Sequence, residues 1–265
     1  MTSPAARRLG VGLRAWVVGV AILLLAPTLV VIPMSLGAGE SFAFPPKHWS
    51  THWYHEFFTS SQWMASLRSS IEIGILAAAL ATTLGVVAAL GLDRARFPGR
   101  SALQSAMMAP IIVPGIVVAV AIYGVFLRWH LNGTVTGFVL AHTVLGMPFV
   151  IALASTSLAG YDRTVELAAA SLGASPLTTV WRITIPLLAP GILSGFVFAF
   201  ATSLDEVVVA LFLQTPDVRT LPVQMYIAVT AELDPTIAAA SSMIVLVTTL
   251  VLLVPLMLRR QRTNA

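Results

Sequence analysis

Two adjacent acids, Asp205 and Glu206, stand in an otherwise apolar run over residues 187–213, with Thr202 and Ser203 one turn before them. Carboxylates so placed can bind cations: each acid can pair with one protonated amine, and the hydroxyls can add ligands. A charge at membrane depth costs at least ~2.5 kcal/mol on insertion scales, so such groups face water, a pathway or a partner. The same acids could instead brace an interface between subunits, and burial in protonated form is a third reading. His142, in another apolar run, is more simply explained by a hydrogen bond within a helix bundle than as a ligand. The chain has no cysteine, which excludes disulfides and thiolate metal sites. Its one lysine, Lys47, lies in Pro46-Lys47-His48 and not in the Gly-Lys-Ser/Thr that closes a phosphate-binding loop. ATP hydrolysis by that route is excluded for this chain.

The elements that must position these residues are membrane helices. Of 265 residues, 57% are hydrophobic and 10% charged, against about 25% charged in soluble domains. Too few polar groups remain to coat a water-facing surface. A bilayer core about 30 Å thick takes roughly 20 apolar helical residues, and six runs qualify: 15–36, 73–92, 103–127, 134–158, 187–213 and 237–258. The first follows Arg7, Arg8 and Arg14 as a secretory signal would, but it exceeds the usual apolar core of a signal and has no small-x-small site closing it. It is read as a retained helix. Pro110 and Pro114 should kink the third run and Pro148 the fourth.

With the N-terminus inside, the inner segments hold Arg7, Arg8, Arg14, Arg94, Arg96, Arg100, Arg163, Arg182, Arg259, Arg260 and Arg262. The outer ones hold Lys47, Arg68, Arg128 and Arg219. That split, 11 + 4, accounts for all 15 basic residues and predicts both termini in the cytoplasm. It also explains the net charge of +4 without nucleic acid, because the arginines form no patch. The outer loop 37–68 carries Trp49, Trp53, Tyr54, Phe57, Phe58 and Trp63. Rings at that density suit a helix lying at headgroup level or a surface for a soluble partner. Arg68 and Glu72, four residues apart, predict a helix-surface ion pair.

The inner loop 159–186 is not composed like a linker. Asp162 or Thr164 can cap a short helix with Glu166 in its first turn. Gly173 supplies a turn, Ser175 caps a second helix, and Pro176 takes its first position. Ile183 and Pro186 lead into the fifth run. A surface of small residues and hydroxyls, Ala168 and Ala169 among them, lets another backbone approach closely.

This segment resembles the EAA loop of ABC-importer permeases, in which Glu-Ala-Ala is followed by Gly and then by Ile-x-Leu-Pro. Ala168, Ala169, Gly173, Ile183 and Pro186 fall on the pattern, with Ile185 in place of Leu. Leu167 occupies the glutamate position and the acid stands one residue earlier, at Glu166. The chain is most similar to permeases of the spermidine/putrescine type, through Ala109-Pro110-Ile111-Ile112-Val113-Pro114-Gly115, the stretch from Ser203 to Ala210, Arg219-Thr220-Leu221-Pro222-Val223-Gln224-Met225 and the stretch from Asp234 to Ala239. Permeases for opines, phosphonates and ferric ion share parts of these stretches.

The resemblance implies an all-α integral membrane protein with the type I importer fold. The expected boundaries are an N-terminal segment 1–64, a permease domain 65–256 and a cytoplasmic tail 257–265. It implies a second, non-identical permease, two ATPase subunits on the EAA loops, a periplasmic substrate-binding protein and residence in the bacterial inner membrane. ATP and Mg would be bound by the ATPase partner, with no cofactor in this subunit. Glu166, Ala168, Ala169, Gly173, Ser175, Ile183 and Pro186 would form the coupling surface. Thr202, Ser203, Asp205 and Glu206 would line the pathway, and the cargo would be a small organic cation. A secondary transporter should show inverted repeats with broken helices in matching halves, and none is visible. A membrane enzyme would need a nucleophile–base group or a metal cluster, for which only His142 and the acid pair are available.

Overall fold

Lipid offers no hydrogen bonds to a backbone, so a spanning segment must satisfy its own N–H and C=O groups as a helix. The computed structural model describes residues 4–39, 44–232 and 234–263, and side chains within that set except those of residues 4–11, 232, 252 and 254–263. Arg7, Arg8, Arg259, Arg260 and Arg262 therefore lie outside the described side chains. Among the described residues the chain is almost wholly helical, with one isolated antiparallel bridge, Gly37 to Trp49.

Two units can be separated. The first contains residues 1–61 and 227–247. Here α1 (Pro4–Ser35) is followed by the short α2 (His52–Thr59), and α12 (Thr236–Thr263) begins. The Tyr54 hydroxyl lies 2.7 Å from both Ser35 Oγ and Ser242 Oγ, tying the three helices together. Phe57 on α2 is fully buried while Trp49 and Phe58 are exposed. Only part of the aromatic loop is thus available to a headgroup layer, because Tyr54 and Phe57 are spent on packing.

The second unit, residues 62–226 and 248–265, is built on α3 (Ser61–Arg94), α6 (Val135–Ala159) and α9 (Ile185–Asp205). Their shared core is made mostly of small residues: Ala78, Ala81, Ala89, Ala154 and Ala199 beside Val86, Val150, Leu158 and Leu188. Between membrane helices, close backbone approach is what stabilises association. Gly85, Gly146 and Gly195 supply it. A Cβ at Gly146 would meet Ala199 Cβ at 3.0 Å, and one at Gly195 would meet Val150 Cα at 3.2 Å. The second expected run is longer than predicted, since α3 begins at Ser61 and buries Trp63, Ser66 and Ser70. Trp63 is therefore not an interfacial anchor. The expected Arg68–Glu72 pair is not among the ion pairs of the described residues; such exposed pairs are worth only about 0.3–0.5 kcal/mol.

Among the described residues four helices are long and apolar enough to cross a membrane, or five if one bent pair is a single span. The bent pair corrects the third run. α4 (Arg100–Ile112) and α5 (Gly115–Arg128) meet at 106°, which is a break and not the kink expected. Pro114 has no N–H and forces Val113 into an extended conformation (φ −72°, ψ 134°). Pro110 and Pro148 are accommodated inside α4 and α6 without a break. The apolar described part of α12, Thr236–Val251, is shorter than the sixth run predicted.

Candidate functional site: an inner loop braced on two spans and an interrupted fifth span

The inner loop folds as two short helices around a glycine turn. Asp162 Oδ1 accepts the Thr164 N–H at 2.9 Å, so of the two expected caps it is Asp162 that acts. That bond holds its carboxyl below the usual carboxylate range. α7 (Thr164–Ser171) then runs to Gly173, whose φ of +84° is the left-handed conformation that terminates helices. Ser175 accepts the Thr178 N–H at 3.2 Å and caps α8 (Pro176–Thr179), with Pro176 at its first position. A π-turn, Val180–Thr184, joins α8 to α9. Its wide register has a cause in sequence: Pro186 offers no N–H for the carbonyl four residues back, and Ile185 bonds instead to Val180 O.

Glu166 does not point away from the protein. Its Oε1 lies 2.6 Å from Arg94 Nη2, at the end of α3, and accepts the Thr184 hydroxyl at 2.5 Å. Arg163 pairs with Asp93 Oδ2 at 2.6 Å alongside. The Tyr161 phenol, desolvated and beside the Glu166 carboxylate, is pushed above its ordinary value. Ala169 is buried, while Ala168 and Ser175 are exposed. Large apolar side chains are also open to solvent: Leu167 at 67%, Leu172 at 89%, Leu177 at 69% and Trp181 at 64%. The expected surface of alanines and hydroxyls thus also carries exposed leucine and tryptophan. Ile183 is half-buried and Pro186 exposed.

The fifth expected run, 187–213, is not continuous. α9 ends at Asp205, Glu206 is extended (φ −76°, ψ 114°), and α10 (Val208–Leu213) restarts. Glu206 Oε1 accepts the Val209 N–H at 2.7 Å and so caps α10. Asp205 is exposed. The four predicted pathway residues therefore separate: Ser203 is buried with its Oγ 2.6 Å from His142 Nδ1, and Thr202 donates to Phe198 O at 2.8 Å. His142 is seven residues into α6, about 10 Å from its N-terminal end at 1.5 Å per residue. The Gly133 N–H meets Leu213 O at 3.0 Å, so α10 ends level with the start of α6 and the break lies below it.

Residues 81–263 match the family of binding-protein-dependent transport system inner membrane components. The chain belongs to that family. It is a multi-pass inner-membrane permease, and membership implies an ATPase and a substrate-binding protein as partners. The permease is 32% identical to the putrescine transport system permease protein PotI of Escherichia coli, over 85% of this chain and 84% of that one. It is 31% identical to the spermidine/putrescine permease PotC of Haemophilus influenzae, over 88% and 91%. A probable molybdenum ABC transporter permease of Haloferax volcanii is 31% identical over 79% and 78%. The fold matches a bacterial ABC transporter that imports the acidic polysaccharide alginate, with a TM-score of 0.72, 16% identity and 98% of each chain covered.

Sequence reasoning missed two features of the permease. The Glu206 cap was legible, because an acid just before a restarting apolar helix can accept an N–H three residues on, here Val209. The Arg94 and Asp93 pairings span about seventy residues, and nothing local signals them.

Proposed function

We propose that this permease forms part of the pathway of an ATP-driven importer for a small organic cation, with a polyamine preferred. The inner loop faces the cytoplasm with both termini and receives the ATPase subunit that binds ATP and Mg. A second, non-identical permease completes the pathway, and a periplasmic protein delivers the cargo. The observation that carries the cation reading is Asp205: an exposed carboxylate at the break of a span, with its neighbour Glu206 spent on capping. An acid in that position attracts a protonated amine and repels molybdate or a uronate. The putrescine and spermidine/putrescine names of two relatives support the same reading.

The test is uptake of radiolabelled putrescine by the reconstituted complex. Removing a hydrogen bond to a charged group costs about 1.5–3 kcal/mol, so Asp205→Asn should weaken apparent affinity roughly ten- to a hundredfold. Glu206→Gln keeps an acceptor oxygen for Val209 N–H and should cost less. Undiminished putrescine uptake by Asp205→Asn in intact complexes would remove the contact. Loss of the permease–permease complex on size exclusion would make Asp205 a brace at that interface. Import of molybdate and not putrescine by the wild type would refute the cation and leave the importer.

A further inference from the structure

The inner loop is held to the spans by a polar cluster of unusual economy. A single atom, Glu166 Oε1 on α7, takes both Arg94 Nη2 at 2.6 Å and the Thr184 hydroxyl at 2.5 Å. Arg94 Nη2 and Thr184 Oγ1 are themselves 3.4 Å apart, which closes the triangle. Arg94 is the last residue of α3, and Thr184 is the last residue of the π-turn, wholly buried and directly before α9. The neighbouring pair has the opposite polarity: Arg163 beside α7 meets Asp93 on α3. Crossed pairs of this kind fix register, because a shift that exchanged partners would oppose like charges. The loop also leaves Leu167, Leu172, Leu177 and Trp181 exposed, with Leu167 standing where the EAA pattern has glutamate.

We infer that the Arg94–Glu166–Thr184 cluster is the joint through which a push on α7 reaches α3 and α9 together. Glu166 is a positioning residue inside this subunit, and the ATPase meets Leu167, Leu172, Leu177 and Trp181 instead. This deepens the proposed function and rests on its docking of the ATPase on the loop. A displaced α7 carries the end of α3 through Arg94 and the start of α9 through Thr184, at a π-turn whose width can change without breaking the helix.

The experiment uses the permease–ATPase complex in nanodiscs, with a cysteine-free ATPase partner. Spin labels are attached through cysteines placed at Ser171 on α7 and Leu84 on α3, since this chain has none of its own. In the otherwise native chain the label separation should be the same without nucleotide and with trapped ATP–vanadate. Glu166→Ala should keep the ATPase at native stoichiometry while the Ser171–Leu84 separation becomes nucleotide-dependent. Thr184→Val leaves the Arg94 pair in place and should do so only for a second label pair, at Ser171 and Leu187 on α9. The exchange Arg94→Glu with Glu166→Arg should restore the constant separation. The joint is overturned by a separation that moves in the native chain, or by one that stays fixed in the variant expected to free it. It is also overturned if Glu166→Ala releases the ATPase and the exchange does not recover it, which makes Glu166 a direct contact and leaves docking intact. Retention of the ATPase after Leu172→Asp with Leu177→Asp removes the docking reading, and the joint with it.

Discussion

Gly85 and Gly91 lie on the same helix, and replacing each by alanine should move stability in opposite directions. A Cβ at Gly85 would stand 2.7 Å from Val150 Cγ1 and 2.8 Å from Val150 Cβ, well inside the ~3.5–4.0 Å at which carbon atoms attract. Val150 cannot turn aside. It is fully buried, valine holds essentially one rotamer in a helix, and its other flank faces Gly195 at 3.2–3.5 Å from a Cβ there. Overpacking of this kind costs about 1–3 kcal/mol, and Val150's confinement puts the cost at the upper end. Alanine returns about 1 kcal/mol of helix propensity, leaving Gly85→Ala destabilised by about 2 kcal/mol. At Gly91 nothing lies within 4 Å, so only the gain of about 1 kcal/mol applies. In lipid the apolar transfer term largely drops out, so packing alone sets the sign. The assay is the unfolding midpoint of the detergent-solubilised permease under SDS titration. Val150→Ala in the Gly85→Ala background should recover part of the loss, a coupling that a double-mutant cycle measures. Equal stability of the two glycine variants, or strict additivity with Val150→Ala, would refute the reasoning.

A cysteine at Ser175 should react with a membrane-impermeant thiol reagent only from the cytoplasmic side, and one at Ser50 only from outside; labelling of Ser175 in sealed cells would invert the proposed orientation. Gly173→Val puts a β-branched residue at φ +84°, a strain of about 1–3 kcal/mol. With nothing within 4 Å of the new Cβ, the chain should still insert while substrate-stimulated ATPase activity falls; normal stimulation would show the turn is not needed for docking.

What the sequence made legible followed local rules. The apolar runs located the helices, and the Asp162, Gly173, Ser175 and Pro176 signals placed two short helices and their turn correctly. What escaped depends on other parts of the chain. Pro110, Pro114 and Pro148 look alike in sequence, yet only Pro114 breaks its helix. For Glu206 the sequence offered a ligand, a brace or a protonated acid, and the cap it makes was not among them although a spacing rule put it within reach. Glu166 was placed in the first turn of its helix, but its partners Arg94 and Thr184 were not foreseen, since they arrive from elsewhere in the chain. The exposed leucines were overlooked because the alanines beside them fit the EAA pattern.

The interruption at Glu206 also bears on how the membrane voltage is distributed. Backbone that leaves helical form at membrane depth must be buried in protein or must line a water-filled cavity, and exposed Asp205 favours the second. Water conducts, so potential falls across dry material and not along a wet vestibule. If the orientation and the pathway role proposed for Asp205 hold, the field in the assembled transporter is concentrated between Asp205 and the cytoplasmic face. On that reading, a cation arriving at the carboxylate from outside would have crossed little of the voltage, and nearly all of the electrical work would remain for the step that follows.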